Sequence, residues 1–111
     1  MKNKEFYILH SEVCKTLANP KRQEILDCLR EGELTVNQIV EKTRIPQANL
    51  SQHLAIMRSK GIVKSRRTGI NIHYSLSSNK ILQAFDLISE LINESLISQT
   101  KTVTHGMETK R

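Results

Sequence analysis

The segment from Gln47 to His53 is rich in side chains that can donate and accept hydrogen bonds, and it carries no formal charge. Asparagine and glutamine can pair bidentately with adenine in the major groove of DNA, and serine can serve several bases. A helix face that only meets solvent carries glutamate and lysine more often, and that alternative stays open on this pattern alone. The pattern favours a surface that reads base edges. Its predicted members are Gln47, Ala48, Asn49, Ser51, Gln52 and His53.

The excess of basic charge lies in one part of the 111-residue chain. Between Lys42 and Phe85 there are eight Lys and Arg residues and no Asp or Glu, whereas the whole chain has 17 basic and 11 acidic residues and a net charge of +6. Basic charge focused on one module is expected of a nucleic-acid binder, although a charge run can also be a solvated face. Further residues predicted to contact double-stranded DNA are Arg58, Lys60, Arg66, Arg67, Thr68 and Asn71.

Motifs for enzymatic chemistry are missing from the sequence. It contains no GxxxxGK[ST], GxSxG or HExxH motif and no paired-carboxylate site, so we expect neither catalysis nor a cofactor. Cys14 and Cys28 form neither a disulfide framework nor a CxxC zinc pattern. No apolar run approaches the roughly 20 residues of a membrane span, and the N-terminus lacks a signal sequence. We therefore expect a cytoplasmic chain, with no membrane partner, whose cysteines start as thiols.

Short helices are predicted before the hydrogen-bonding segment. Apolar residues recur every three or four positions over residues 5–17, which predicts a first helix. Asn19-Pro20 begins a second helix, because Asn is a good N-cap and Pro is tolerated at the first helical position, and Gly32 ends it. Thr35 and Gln38 match a capping box, which predicts the start of a third helix.

The hydrogen-bonding segment itself is predicted to be a fourth helix that begins at Pro46 or Gln47. Leu50, Leu54 and Met57 are spaced four and three apart and predict its buried stripe. The polar residues then lie on the complementary face. A helix, a tight turn and a second helix in this order predict a helix-turn-helix.

Two strands are predicted after the fourth helix, over residues 62–67 and 72–76, with a turn at residues 68–71. Arg66 and Arg67 are placed near the tip of this hairpin, within reach of phosphates or a minor groove. His73 follows the strand alternation and is interpreted as structural. The predicted fold is mainly α with a small β-hairpin: a winged helix-turn-helix with about five helices and a two-stranded wing.

A fifth helix is predicted over about residues 80–97, and its apolar residues are too widely distributed for one core-facing stripe. Such a small domain has little interior, so we expect part of this helix to bury against a second copy of the chain. One domain is predicted over residues 1–97, and the polar residues 98–111 are predicted to form a disordered tail. The predicted dimer interface comprises Phe6, Leu9, Val13, Ile88, Leu91 and Ile92.

With these motifs in place, the chain resembles the ArsR/SmtB family of winged-helix repressors over about residues 17–97. The most specific motifs are LANPKR-x-x-IL, the GEL before the third helix, LSQHL on the fourth helix, and GIVKSRR. The resemblance implies a homodimer that binds an operator overlapping a promoter and leaves it when an inducer arrives. It also implies that the terminal helices form the dimer interface.

The metal sites that the resemblance implies do not match this sequence. One subclass carries a Cys-x-Cys motif just after the GEL segment, where Thr35 and Asn37 stand here, and these are poor ligands for soft metals. A second subclass has Asp, His and Glu ligands on the last helix, which has no His here. We therefore expect no metal, and Cys14 and Cys28 remain as candidates for a thiol switch.

Alternatives to this interpretation remain. The two cysteines could also be inert small core residues. A repressor of the same fold could respond to a metal or to no ligand, and the small inducer is not identified by the sequence. A winged helix that binds RNA or another protein is a further alternative.

Overall fold

The computed structural model describes residues 1–100, with side chains through residue 96. The chain divides into two units, Met1–Asn79 and a second unit that begins at Lys80. The elements of the first unit are α1 (Lys4–Leu17), α2 (Pro20–Cys28), β1 (Leu34–Thr35), α3 (Val36–Thr43), α4 (Gln47–Ser59), β2 (Val63–Thr68) and β3 (Asn71–Leu76). The last helix is α5 (Asn79–Thr100).

The predicted N-terminal caps are confirmed. The Asn19 side chain accepts hydrogen bonds from the backbone N–H groups of Lys21 and Arg22 at the start of α2. At α3 the capping box is complete: the Gln38 N–H donates to Thr35 Oγ1 at 3.2 Å, and the Thr35 N–H donates to Gln38 Oε1 at 2.8 Å. These contacts satisfy backbone donors that have no partner within the helix.

The end of α2 differs from the prediction. The helix ends at Cys28, four residues before Gly32, with Leu29 as its C-cap. The Gly32 N–H donates to the Leu29 carbonyl, so Gly32 closes a further turn rather than the helix itself. Its φ of +135° is a backbone conformation that other residues rarely adopt.

The wing is a three-stranded antiparallel sheet in the order β1-β3-β2. The predicted hairpin is present, but its turn consists of only Gly69 and Ile70, because Thr68 and Asn71 are a strand pair in register. Gly69 has a φ of +62°, which suits the first central position of a two-residue hairpin. The third strand, β1, was not predicted and pairs Leu34 with Tyr74.

The core of the first unit lies between α2, α3, α4 and the base of β2. Its seven most deeply buried large side chains are all aliphatic or sulfur-containing, as expected for a small hydrophobic core. They are Ile25, Leu26, Ile39, Leu50, Leu54, Met57 and Val63. The core fixes the rotation of α4 about its own axis, since Leu50, Leu54 and Met57 all belong to it.

The second unit was predicted to be helical over about residues 80–97, and α5 continues to Thr100. Residues 98–100, predicted to begin a disordered tail, belong to this helix instead. The rest of the predicted tail, residues 101–111, lies outside the described residues. Among the helices described, none has the length and hydropathy needed to cross a membrane.

Candidate nucleic-acid interface

Burial of one face of α4 leaves its polar face open to solvent. Gln47, Ala48, Asn49, Ser51 and Gln52 are all exposed, as the sequence predicted for a reading surface. The stripe of Leu50, Leu54 and Met57 on the opposite side is at most 1% exposed. The arrangement therefore offers amide and hydroxyl groups on a helix that the core holds in a fixed orientation.

His53 lies at the edge of that face rather than at its centre. Its ring is half-buried, and Arg22 Nε on α2 donates a hydrogen bond to His53 Nδ1 at 3.1 Å. Because a guanidinium can only donate, Nδ1 must be unprotonated, so neutral His53 carries its proton on Nε2. Burial, followed by the charges of Arg22 and Lys21, lowers the pKa of His53. The side chain is therefore a neutral donor at pH 7.

Arg22 joins three helices through this contact. Its Nη1 also donates to the carbonyl oxygen of Thr16 in the last turn of α1, at 3.3 Å. No local pattern in the sequence predicts the role of Arg22, because its partner His53 is 31 positions away. The signal available in the sequence was the arginine of the LANPKR motif itself.

The exposed face of α4 extends further toward its C-terminus than predicted. Ala55 and Ser59 are exposed, and Ile56 is 37% exposed. Helical spacing from Gln52 places Ile56 one turn further along the same face, which could have identified it. An exposed isoleucine at this position offers an apolar contact, such as one with a thymine methyl group.

The predicted basic contacts near the end of α4 differ from one another. Arg58 is exposed. Lys60 Nζ lies 3.1 Å from Glu12 Oε1, an ion pair that joins the end of α4 to α1. Both members are exposed by more than a third, so the pair is weak and Lys60 can exchange it for another anion.

On the wing, Arg66 and Arg67 point to opposite sides of β2, since side chains alternate along a strand. Arg67 is exposed, as are Thr68 and Asn71 at the end of the hairpin. Arg66 instead forms a bidentate ion pair with Glu33, with Nε to Oε2 at 2.8 Å and Nη2 to Oε1 at 2.6 Å. Of the predicted wing contacts, Arg66 is therefore the one that already holds a carboxylate.

The two cysteines lie in different surroundings. Cys14 is exposed on α1, with its Sγ 3.6 Å from His10 Nδ1. Cys28 is half-buried at the end of α2 and donates to the Ile25 carbonyl oxygen at 3.2 Å. Burial raises the pKa of Cys28 to about 11, although the charge of Lys42 acts in the opposite direction. The interpretation of both residues as core cysteines does not fit Cys14.

Metal ligands are not gathered in the first 96 residues: no group of three or more His, Cys, Asp or Glu side chains there could hold an ion. The acidic residues of α5 that correspond to the second metal-sensing pattern are Asp86, Glu90 and Glu94. Asp86 is half-buried, whereas Glu90 and Glu94 are exposed.

The comparisons with known proteins agree with this geometry. A family described as "Bacterial regulatory protein, arsR family" matches residues 19–65. The transcriptional repressor PagR of Bacillus anthracis is 35% identical over 82 residues, which cover 73% of this chain and 82% of PagR. The chain belongs to the ArsR family.

Two further relatives extend the comparison. The nodulation protein NolR of Rhizobium meliloti is 37% identical over 70% of this chain, and the match spans 64% of NolR. The homodimeric winged helix-turn-helix DNA-binding domain Mb0332 of Mycobacterium bovis superposes with a TM-score of 0.76 at 28% identity. That superposition covers 88% of this chain and 93% of the domain. The prediction of a winged helix-turn-helix with five helices is confirmed.

Proposed function

We propose that this chain is a homodimeric, sequence-specific DNA-binding transcriptional repressor that acts in the cytoplasm and is not an enzyme. The observation that carries the proposal is the exposed, uncharged, hydrogen-bonding face of α4, held by a buried stripe on its other side. In a helix-turn-helix, the second helix lies in the major groove and its N-terminal residues contact base edges. Here Gln47, Asn49, Ser51 and Gln52 occupy that part of α4.

The wing and the end of α4 supply the charge for such a complex. Arg58 and Arg67 are exposed and can reach phosphates, which position a protein on DNA without reading its sequence. Repression follows the name of the relative PagR, and homodimerisation follows the description of the Mb0332 domain. PagR is named as a transcriptional repressor and Mb0332 as a DNA-binding domain, which supports the proposal that this chain has no catalytic activity of its own.

Apolar side chains on two helices support the dimer. On α1, Phe6 and Leu9 are 40% and 60% exposed, and Val13 is half-buried. On α5, Ile88 and Leu91 are 59% and 61% exposed, and Ile92 is 46% exposed. Exposed apolar surface of this kind marks interaction sites, and a second copy of the chain would cover it.

The test begins with a selection of bound sequences from a random pool of DNA duplexes. With the selected duplex, Gln52→Ala is expected to lose roughly 1–3 kcal/mol of specific binding and to keep its affinity for random DNA. Gln83→Ala, at an exposed glutamine on α5, is the matched control and should bind as the wild type does. An equal loss on selected and random duplexes would remove Gln52 from base readout.

Measuring the affinity for DNA at several salt concentrations separates DNA binding from the alternative of an RNA-binding or protein-binding module. Binding through several phosphates weakens steeply as salt rises. The proposed function would be contradicted if the selection enriched no duplex, or if the affinity for DNA did not change with salt. A reporter placed behind a selected site should be less active in the presence of the protein, and higher activity would assign activation instead of repression.

Release of the operator by thiol modification is a second part of the proposal. The exposure of Cys14 on α1 favours it, because a reagent can reach this thiol in the folded chain. The same helix carries part of the proposed dimer interface, and it is joined to α4 by Glu12–Lys60 and by Arg22. A modified Cys14 can therefore bias DNA affinity if it favours one arrangement of the dimer over another.

A further inference from the structure

On the wing, the carboxylate of Glu33 binds the guanidinium of Arg66, a residue that the sequence predicted to contact DNA. Glu33 precedes β1 and receives both Nε and Nη2 of Arg66 on β2, at 2.8 and 2.6 Å. The ion pair joins residues 33 positions apart in the chain. It is the side-on arrangement that a guanidinium forms with a carboxylate or with a phosphate.

The surroundings hold both partners in place. Thr68 Oγ1 accepts from Arg66 Nη1 at 2.6 Å, so the third nitrogen of the guanidinium is also engaged. Leu34 and Thr35 pair with β3, which anchors the backbone directly after Glu33 beside the hairpin. His73 Nδ1 lies 3.7 Å from Glu33 Oε1 and would add a second cation if the ring were protonated.

The electrostatic surroundings of Glu33 favour its charged form, which is the form that pairs with Arg66. The hydrogen bond from Arg66 is the largest effect and lowers the pKa of Glu33. Burial opposes it, and the charges of Arg66, His73 and Lys64 lower the pKa further. Glu33 is therefore ionised at neutral pH. The side chains are nonetheless exposed, Arg66 by 59% and Glu33 by 32%, so the pair lies at the surface where an incoming phosphate can reach it.

We propose that Glu33 competes with DNA phosphate for Arg66 and so lowers the sequence-independent part of the affinity. A phosphate that approaches Arg66 in the same side-on geometry needs the two N–H groups that Glu33 holds, and the carboxylate must leave first. Exposed ion pairs are weak enough to be displaced in this way. The inference rests on the proposed function, because it assumes that the wing meets the DNA backbone.

The first experiment is the isosteric substitution Glu33→Gln, which removes the charge and keeps the shape of the side chain. DNA affinity should rise about three- to fivefold on selected and random duplexes alike, as expected when a weak competing ion pair is lost. The dependence of log K on log salt should steepen by up to about 0.9, the value for one more neutralised phosphate. Glu31→Gln is the control, since it makes the same change of net charge two residues earlier.

The second experiment repeats the substitution in an Arg66→Gln background. If Glu33 acts through Arg66, the effect of Glu33→Gln should disappear there, and circular dichroism should show the same fold for all four proteins. Lower affinity of Glu33→Gln would mean that the carboxylate positions Arg66 for binding, and would overturn the proposal. An effect equal to that of Glu31→Gln, or one that persists without Arg66, would overturn it too. Failure of the wild type to bind DNA in a salt-dependent way would instead contradict the proposed function.

Discussion

At the scale of single residues, three of the side chains predicted to meet DNA are bound by side chains from other parts of the chain. His53 accepts from Arg22, Lys60 pairs with Glu12, and Arg66 pairs with Glu33. These partners are 31, 48 and 33 positions away, beyond the range of any helical or strand periodicity. The sequence could predict which residue types suit DNA, but such contacts depend on how separate elements pack together.

The difference between the two cysteines leads to a prediction at this scale. With a pKa of about 11, Cys28 is only about 0.1% thiolate at pH 8, so a thiol reagent should modify exposed Cys14 first. Mass spectrometry after brief iodoacetamide treatment should find one modified site per chain, at Cys14. The same treatment should release the selected duplex from the wild type and from Cys28→Ser, but not from Cys14→Ser. Release of the Cys14→Ser protein would contradict a switch at Cys14.

At the scale of elements, local signals predicted starts better than ends. The starts of α2 and α3 follow from side chains within three residues of the cap, such as Asn19 and Thr35. The strand β1 has only two residues and exists because β3 lies beside it, which no pattern within Leu34–Thr35 reveals. The hairpin turn was predicted two residues too long, because Thr68 and Asn71 are turn-forming types that here form a strand pair.

The capping box of α3 gives a prediction at the scale of elements. Thr35→Ala removes the hydroxyl that accepts from the Gln38 N–H, and loss of such a cap typically costs about 1 kcal/mol of the free energy of unfolding. Urea denaturation followed by circular dichroism would measure it. Thr35→Ser retains the hydroxyl and should remain close to the wild type. Equal destabilisation by both substitutions would assign the effect to the threonine methyl group rather than to the cap.

At the scale of the whole molecule, the sequence predicted two properties that no single element carries. Positive charge is concentrated between Lys42 and Phe85. The exposed residues of that segment include the polar face of α4 and the end of the β2–β3 hairpin. Apolar residues in excess of what one small core can hold predicted a partner, and four large aliphatic side chains of α5 are indeed exposed. These are Leu87, Ile88, Leu91 and Ile92. The pairing geometry of two copies depends on both surfaces at once, which a single sequence does not specify.

The dimer provides the prediction at this scale. Leu91 is 61% exposed near the middle of the apolar face of α5, so Leu91→Glu should place a charge in the proposed interface and give monomers in sedimentation velocity. A monomer holds one half-site only, and affinity for the selected duplex should fall on the order of a hundredfold. Asn93→Glu adds the same charge to the opposite side of the helix, at an exposed position, and should leave both the dimer and its affinity intact. Circular dichroism should show equal helix content in both variants. A dimeric Leu91→Glu protein that still binds the duplex would mean that α5 lies outside the interface, and the partner surface would then have to be sought on α1 alone.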